Sequence, residues 1–248
     1  MDHFKNIYES HDHSLRILNI IYGYDTFLDS IEVIADMGCG SGLDMKWWAE
    51  LETRDDEPRK HNYICYAVDK DPTQIVAELP QNVTVVKGNF EEMIISRKID
   101  LLWSHDSFQY SLNPMQTLAN WNKQMNVNGM LVLTVPTYSN HQYNRYVNRA
   151  YDFAYFNHNI CTLIYMLAVN GFDCRDAYFY KGLNDPWLHA VVYKSMDPLD
   201  PTTTKLYDLC DKELLHPSAV NSIQKHGYLR QEDLLYPWID KDLHYVRD

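Results

Sequence analysis

Asp36-Met37-Gly38-Cys39-Gly40-Ser41-Gly42 sets three glycines at alternate positions behind a β-branched apolar run, with a carboxylate two residues ahead of the first. Glycine allows positive φ in a tight strand-to-helix turn and close approach of a ligand to bare backbone, so this is the chemistry of a cofactor cradle. Two familiar cradles are excluded. The dinucleotide fingerprint needs a third glycine where Leu43 stands, and a P-loop needs a Gly-Lys-Ser/Thr that does not follow. A second rich region, Pro136–Ile160, holds seven aromatic residues together with His141, His158, Arg145 and Arg149 against the single acid Asp152. Tyr143, Tyr146, Ala150 and Phe153 recur at helical spacing, so some of these rings pack on a core and others are available to a planar, sugar or carboxylate-bearing ligand. His3, His11 and His13 have no Cys or carboxylate cluster at ligand spacing beside them, and no metal site is expected.

The elements that must position these residues alternate along the chain. Ile31–Met37, Tyr63–Val68, Val83–Val86, Ile99–Trp103 and Met130–Val135 read as strands. Leu43, Trp47 and Leu51 make one apolar helical face, and Asn113-Pro114 opens a second helix running to about Met125. Glu52–His61, crowded with charges, reads as a loop. A stripe from Ile160 to Ala168 stops at Asn170-Gly171, and two runs, Phe172–Tyr180 and Leu188–Tyr193, suit a terminal hairpin. The pattern predicts an α/β fold with a mostly parallel sheet, helices on both faces, and ligands beyond the carboxyl ends of the strands.

Composition narrows the partners. The 248 residues carry 22 Lys+Arg against 34 Asp+Glu, a net charge of −12, which disfavours a nucleic-acid partner. Apolar runs break well before a membrane span, the first residues lack a signal sequence, and five cysteines without a C-x-x-C pair suit reduced thiols in the cytoplasm.

The D-x-G-x-G-x-G loop resembles that of the class I S-adenosylmethionine-dependent methyltransferases, and the resemblance runs in order through residues 31–195. Tyr66-Ala67-Val68-Asp69 is similar to the second motif, whose carboxylate accepts from both ribose hydroxyls. Val85-Val86-Lys87-Gly88-Asn89-Phe90 is similar to the third, with Asn89 where the family usually has an Asp that meets the adenine amino group. Ile99–Trp103 resembles the fourth-strand motif. Met125–Leu131 stands where the family commonly has Leu-Lys-Pro-Gly-Gly, with Val127 and Asn128 as departures, and Asn tolerates the left-handed backbone of that turn. The resemblance implies a Rossmann-like sandwich, with a mostly parallel seven-stranded sheet and an antiparallel C-terminal hairpin. It implies S-adenosyl-L-methionine as cofactor, S-adenosyl-L-homocysteine as product, and a cofactor site of Asp36, Gly38, Cys39, Gly40, Gly42, Asp69, Lys70, Asn89, Phe90 and Ser104. Arg16 is similar to an arginine that pairs with the cofactor carboxylate in some members; a solvated helix-surface arginine is the alternative.

In this family the stretch after strand four, here Ser104–Tyr110, lies beside the methionine portion of the cofactor and the acceptor. His105 and Asp106 are therefore candidate catalytic groups, alongside reactions that use no protein base. Acceptor pockets of the fold are built by insertions such as 136–160, which makes Tyr138, His141, Arg145 and Tyr146 the candidate substrate contacts. The expected organisation is a methyltransferase domain over 1–196, with a cap over 1–30 and an aromatic lid over 136–160. A helical appendage over 197–248, carrying six cationic and ten anionic residues, either packs on the core or mediates a homodimer. The expected activity is methyl transfer to oxygen or nitrogen of a small molecule. A methyltransferase for protein or RNA, and a non-catalytic cofactor-binding protein, are the rivals.

Overall fold

The computed structural model describes residues 14, 17–18, 21, 25–51, 62–136, 158–180 and 187–235. Seven strands, β1 (Val33–Met37), β2 (Ile64–Asp69), β3 (Val83–Lys87), β4 (Ile99–His105), β5 (Met125–Pro136), β6 (Phe172–Tyr180) and β7 (Trp187–Lys194), form one sheet in the order β3-β2-β1-β4-β5-β7-β6. The first five run parallel, and β7 pairs antiparallel with both β5 and β6. Besides a single turn over Asp25–Leu28 and three short 3-10 helices, the described helices are α1 (Leu43–Ala49), α2 (Pro114–Gln124), α3 (Ile160–Val169), α4 (Leu206–Asp211) and α5 (Pro217–His226). Glu52–His61 lies outside the described residues.

Side chains alternate between two cores. On one face Val33, Ala35 and Met37 of β1, Leu102 of β4 and Leu131, Leu133 and Val135 of β5 pack against Leu118 and Trp121 of α2 and the stripe of α3. Leu209, Leu214, Leu215, Ala219 and Ile223 join this core, so α4 and the inward side of α5 are packed on it, and Cys174 N–H donates to Leu214 O at 3.0 Å. On the other face Ile34, Leu101, Trp103, Met130, Val132 and Val191 pack against Ile17, Leu18, Ile21, Met45 and Trp48.

Several boundaries have local causes. β1 starts at Val33 rather than Ile31, because the Asp100 carboxylate takes both the Glu32 and Val33 N–H groups at 2.9 Å. Asn113 Oδ1 accepts from Gln116 N–H at 3.2 Å, capping α2 where the sequence placed its start. β5 follows α2 with no loop, and Asn128 takes φ 63° within it. β4 runs two residues beyond the expected Trp103, since Ser104 and His105 pair with Leu133 and Thr134. His105 is thus the last residue of a strand, not part of a loop.

Candidate active site

At the carboxyl edge the apolar stripes of the second face end in polar groups. Asp36 ends the stripe of β1, His105 that of β4, Thr134 that of β5, and His189 follows Val191 toward the same edge on β7. The register places His105 opposite Thr134 and Thr134 opposite His189, and Thr134 Oγ1 lies 2.9 Å from His189 Nδ1. The His105 ring stacks parallel to Trp103 at 6.1 Å and tilts against Trp187 at 6.2 Å. All five side chains are buried. The row is an imidazole and hydroxyl floor between two indoles.

The glycine loop stands beside it. Gly38 and Cys39 N–H groups both donate to Val68 O, at 2.9 and 3.0 Å. Gly38 has φ 90°, and a Cβ there would sit 2.4 Å from Ser107 Cβ. Its bareness serves the protein's own packing. At Gly40, φ 47°, a Cβ would meet nothing within 4 Å, so the loop is open on that side. Asp69 Oδ2 accepts from Gly40 N–H at 2.9 Å and its Oδ1 from Asp71 N–H at 2.8 Å, which fixes the loop. Gly42 caps α1, and Phe90 reaches within 3.7 Å of the Cβ position of Gly38.

Three acidic side chains gather at this corner. Burial pushes Asp36 well above the usual carboxylate range, and the charges of Asp44 and Asp69 push it further. Asp44, in the first turn of α1, accepts from Ser14 Oγ and, at 3.1 Å, from Trp103 Nε1. It thereby ties a residue of the N-terminal region to β4. Burial, with Asp36 and Asp69, also pushes the Cys39 thiol up, so Cys39 stays neutral and is no nucleophile.

The remaining expected residues are placed as follows. Asp106 follows β4 with φ 52°, its N–H donates to Thr134 O at 3.1 Å, and its Oδ1 accepts from Gln109 Nε2. Ser104, proposed at the cofactor, is buried on the opposite face, where its hydroxyl meets Ser107 Oγ at 2.7 Å and Ser107 in turn donates to Met37 O at 2.6 Å. Asn89 is exposed, and its Oδ1 accepts from Glu91 N–H at 3.1 Å. Lys70 is exposed at the end of β2. Arg16, Tyr138, His141, Arg145 and Tyr146 lie outside the described residues, as does almost all of the expected lid. Among the described residues no group of three or more His, Cys, Asp or Glu could hold a metal ion.

Residues 35–133, which span the glycine loop, Asp69 and the whole of β4, match the methyltransferase-domain family. That segment of the chain is a methyltransferase domain. Solved structures share its fold at low identity. A chain of the Haloferax volcanii complex of the Trm112 methyltransferase activator with a methyltransferase is 12% identical, with a TM-score of 0.53 over 75% of this chain and 96% of that one. N-methyltransferase NodS from Bradyrhizobium japonicum is 11% identical, with a TM-score of 0.50 over 72% and 96%. Haemonchus contortus phosphoethanolamine N-methyltransferase 2, in complex with phosphomonomethylethanolamine and S-adenosylhomocysteine, is 14% identical, with a TM-score of 0.52 over 68% and 50%. Comparison with curated proteins finds no match.

The methyltransferase cradle fits its cofactor. Open space over Gly40 admits a ligand against the backbone. The Asp69 carboxylate has about four acceptor positions and spends two of them on the loop, which leaves capacity for ribose hydroxyls. Asp36, Asp44 and Asp69 suit a cofactor that carries a sulfonium and an ammonium.

Sequence reading missed Asp44, Thr134, Trp187, His189 and Gln109. Asp44 had a signal, being an acid in the first turn after a glycine loop. Thr134 and His189 had none, because only cross-strand register brings them to His105.

Proposed function

We propose that this methyltransferase acts on a small molecule, in the cytoplasm, with the acceptor held over the carboxyl ends of β4 and β5. The observation that carries the reading is the buried row His105, Thr134 and His189 between Trp103 and Trp187. Such an enclosed floor suits a small polar group better than the face of a folded macromolecule. A net charge of −12 argues in the same direction against RNA. The five cysteines are all free, in keeping with a reducing compartment, and no described helix is long and apolar enough to cross a membrane.

When bound, S-adenosylmethionine would supply an electrophilic methyl group, its sulfur keeping the S–C bonding pair while the acceptor's lone pair forms the new bond. The chain's task is to orient the acceptor, exclude water and, for a hydroxyl, take its proton. His105 is our candidate base. Its ring is held between two indoles at a strand end, where its orientation is fixed by packing. S-adenosylhomocysteine release measured with small alcohols, phenols and amines, and in parallel with peptides and RNA, tests the acceptor class. His105→Ala should lower kcat about 10²–10⁴-fold with a hydroxyl acceptor and remove the limb of the pH profile that a general base imposes. A wild-type rate and pH profile in that variant would make His105 structural.

A further inference from the structure

Asp44 commits its two carboxylate oxygens to two different elements. Oδ1 accepts from Ser14 Oγ, and Oδ2 accepts from Trp103 Nε1 at 3.1 Å. Ser14 is buried, and Ile17, Leu18 and Ile21 pack its N-terminal region onto the core that holds Trp103. The Trp103 ring crosses Trp48 at 5.7 Å and lies parallel to the His105 ring at 6.1 Å. Stacking sets the separation of two planes, but it leaves each ring free to turn within its own plane. A charge-assisted bond to the single polar atom of the indole fixes that turn. Burial alone does not demand the bond here. Trp48, buried in the same aromatic group, has no hydrogen-bond partner for its Nε1 among the described residues. An acid in the first turn of a helix is ordinarily a dipole contact facing solvent, whereas Asp44 is half-buried and bridges the N-terminal region to β4.

We propose that Asp44 is a positioning residue for methyl transfer. It anchors the Trp103 indole and through it the His105 ring, while Ser14 holds the carboxylate itself in place. Asp44 acts through Trp103 and takes no part in the chemical step. The path Ser14–Asp44–Trp103–His105 also makes the orientation of the candidate base depend on docking of the N-terminal region. A base turned away from its proton loses much of its effect, so such an anchor matters to the rate and not only to folding. This deepens the proposed function and rests on His105 as the base.

The test follows indole N–H exchange and histidine ring signals by NMR on the full chain. Each signal is identified by its loss in Trp103→Phe, Trp121→Phe or His105→Ala. Trp121 is the control, since its Nε1 donates to Phe90 O at 2.9 Å on the other core. Asp44→Leu removes both bonds. The Trp103 indole hydrogen should then exchange about tenfold faster or more, Trp121 should stay within about twofold, and the His105 ring signals should move. Asp44→Asn can accept from Trp103 and donate to Ser14, whose hydroxyl also accepts, so it should restore all three to wild type. Ser14→Ala should speed Trp103 exchange about threefold with Trp121 unmoved, which keeps the test decisive if Asp44→Leu fails to fold. Equal acceleration at Trp103 and Trp121 would reduce Asp44 to a stability contact and overturn the inference. His105 signals that stay in place in folded Asp44→Leu, Trp103 exchange unchanged in Ser14→Ala, or an Asp44→Asn chain that behaves like Asp44→Leu would overturn it too. A wild-type rate in His105→Ala would instead strike the base itself, whatever these signals do.

Discussion

Gly38 and Gly40 lie two residues apart in one loop, both with positive φ, and alanine should damage the protein differently at each. At Gly38 the added methyl would sit 2.4 Å from Ser107 Cβ, closer than real Cβ contacts allow, and Ser107 is itself pinned by its bond to Met37 O. Overpacking of that kind costs about 1–3 kcal/mol and the left-handed backbone about 1–2 more. Gly38→Ala should therefore lose roughly 2–5 kcal/mol, a fall in Tm of about 5–15 °C for a chain of this size. At Gly40 the methyl meets nothing, so only the backbone term of about 1–2 kcal/mol applies, or roughly 2–6 °C. The methyl does, however, fill the open space over the loop, and if the cofactor lies there Gly40→Ala should weaken S-adenosylhomocysteine binding at least tenfold. Urea titration and thermal melts give the first quantity, and calorimetry on the folded variants gives the second. If Gly40→Ala binds within twofold of wild type, the open side of the loop is not the cofactor's. Equal destabilisation of the two variants would refute the steric account of Gly38.

Burial pushes His158 down to about 4 from 6.5, so the unfolded chain binds a proton that the folded chain refuses until the pH is much lower. This contribution is absent above the unfolded value and destabilises as pH falls through the window, by about 2 kcal/mol at pH 5; His158→Phe, which can keep the stack on Phe108, should flatten the pH 7-to-5 difference in urea titrations, and an unchanged slope would disprove it. Lys194 is buried and donates to Asn122 O at 2.9 Å and Met125 O at 3.3 Å, across the end of α2. Lys194→Met should cost about 1–3 kcal/mol in the same titration, and no change would mean those carbonyls find other donors. Asp69→Asn turns one acceptor into a donor facing a backbone N–H, and S-adenosylhomocysteine should bind roughly 30-fold more weakly by calorimetry; full affinity would remove Asp69 from the site.

The glycine loop and the elements around it were legible because their signals are local. A β-branched run followed by alternate glycines fixes a strand, a turn and a helix within a dozen residues, and Asp69 announces itself by closing the next run. Asn128 was legible for the same reason: asparagine is among the few residues that tolerate the left-handed backbone it takes, at φ 63°. The row beyond β4 was legible only as a location. Ser104 and His105 are not strong strand formers, and they extend β4 because β5 offers Leu133 and Thr134 as partners. His189 comes 84 residues after His105 in a run that reads as plain terminal strand. Its place beside Thr134 depends on the antiparallel register of β7, which no local pattern encodes.

A chain with net charge −12 has many places for its acids, and at this edge they are placed against their own electrostatic interest. Asp36 is buried with Asp44 and Asp69 near enough to hold its carboxyl protonated longer than an ordinary acid. Each of the other two is tied by donors from a different element: Asp44 by Ser14 and Trp103, Asp69 by the backbone of its own cradle. Those bonds keep the acids fixed instead of letting them swing into solvent and relax the repulsion. A cationic ligand entering the corner relieves both of the repulsions on Asp36, and a neutral one relieves neither. A sulfonium held at this corner would therefore be bound more tightly than the thioether left after transfer, which favours exchange of product for fresh cofactor.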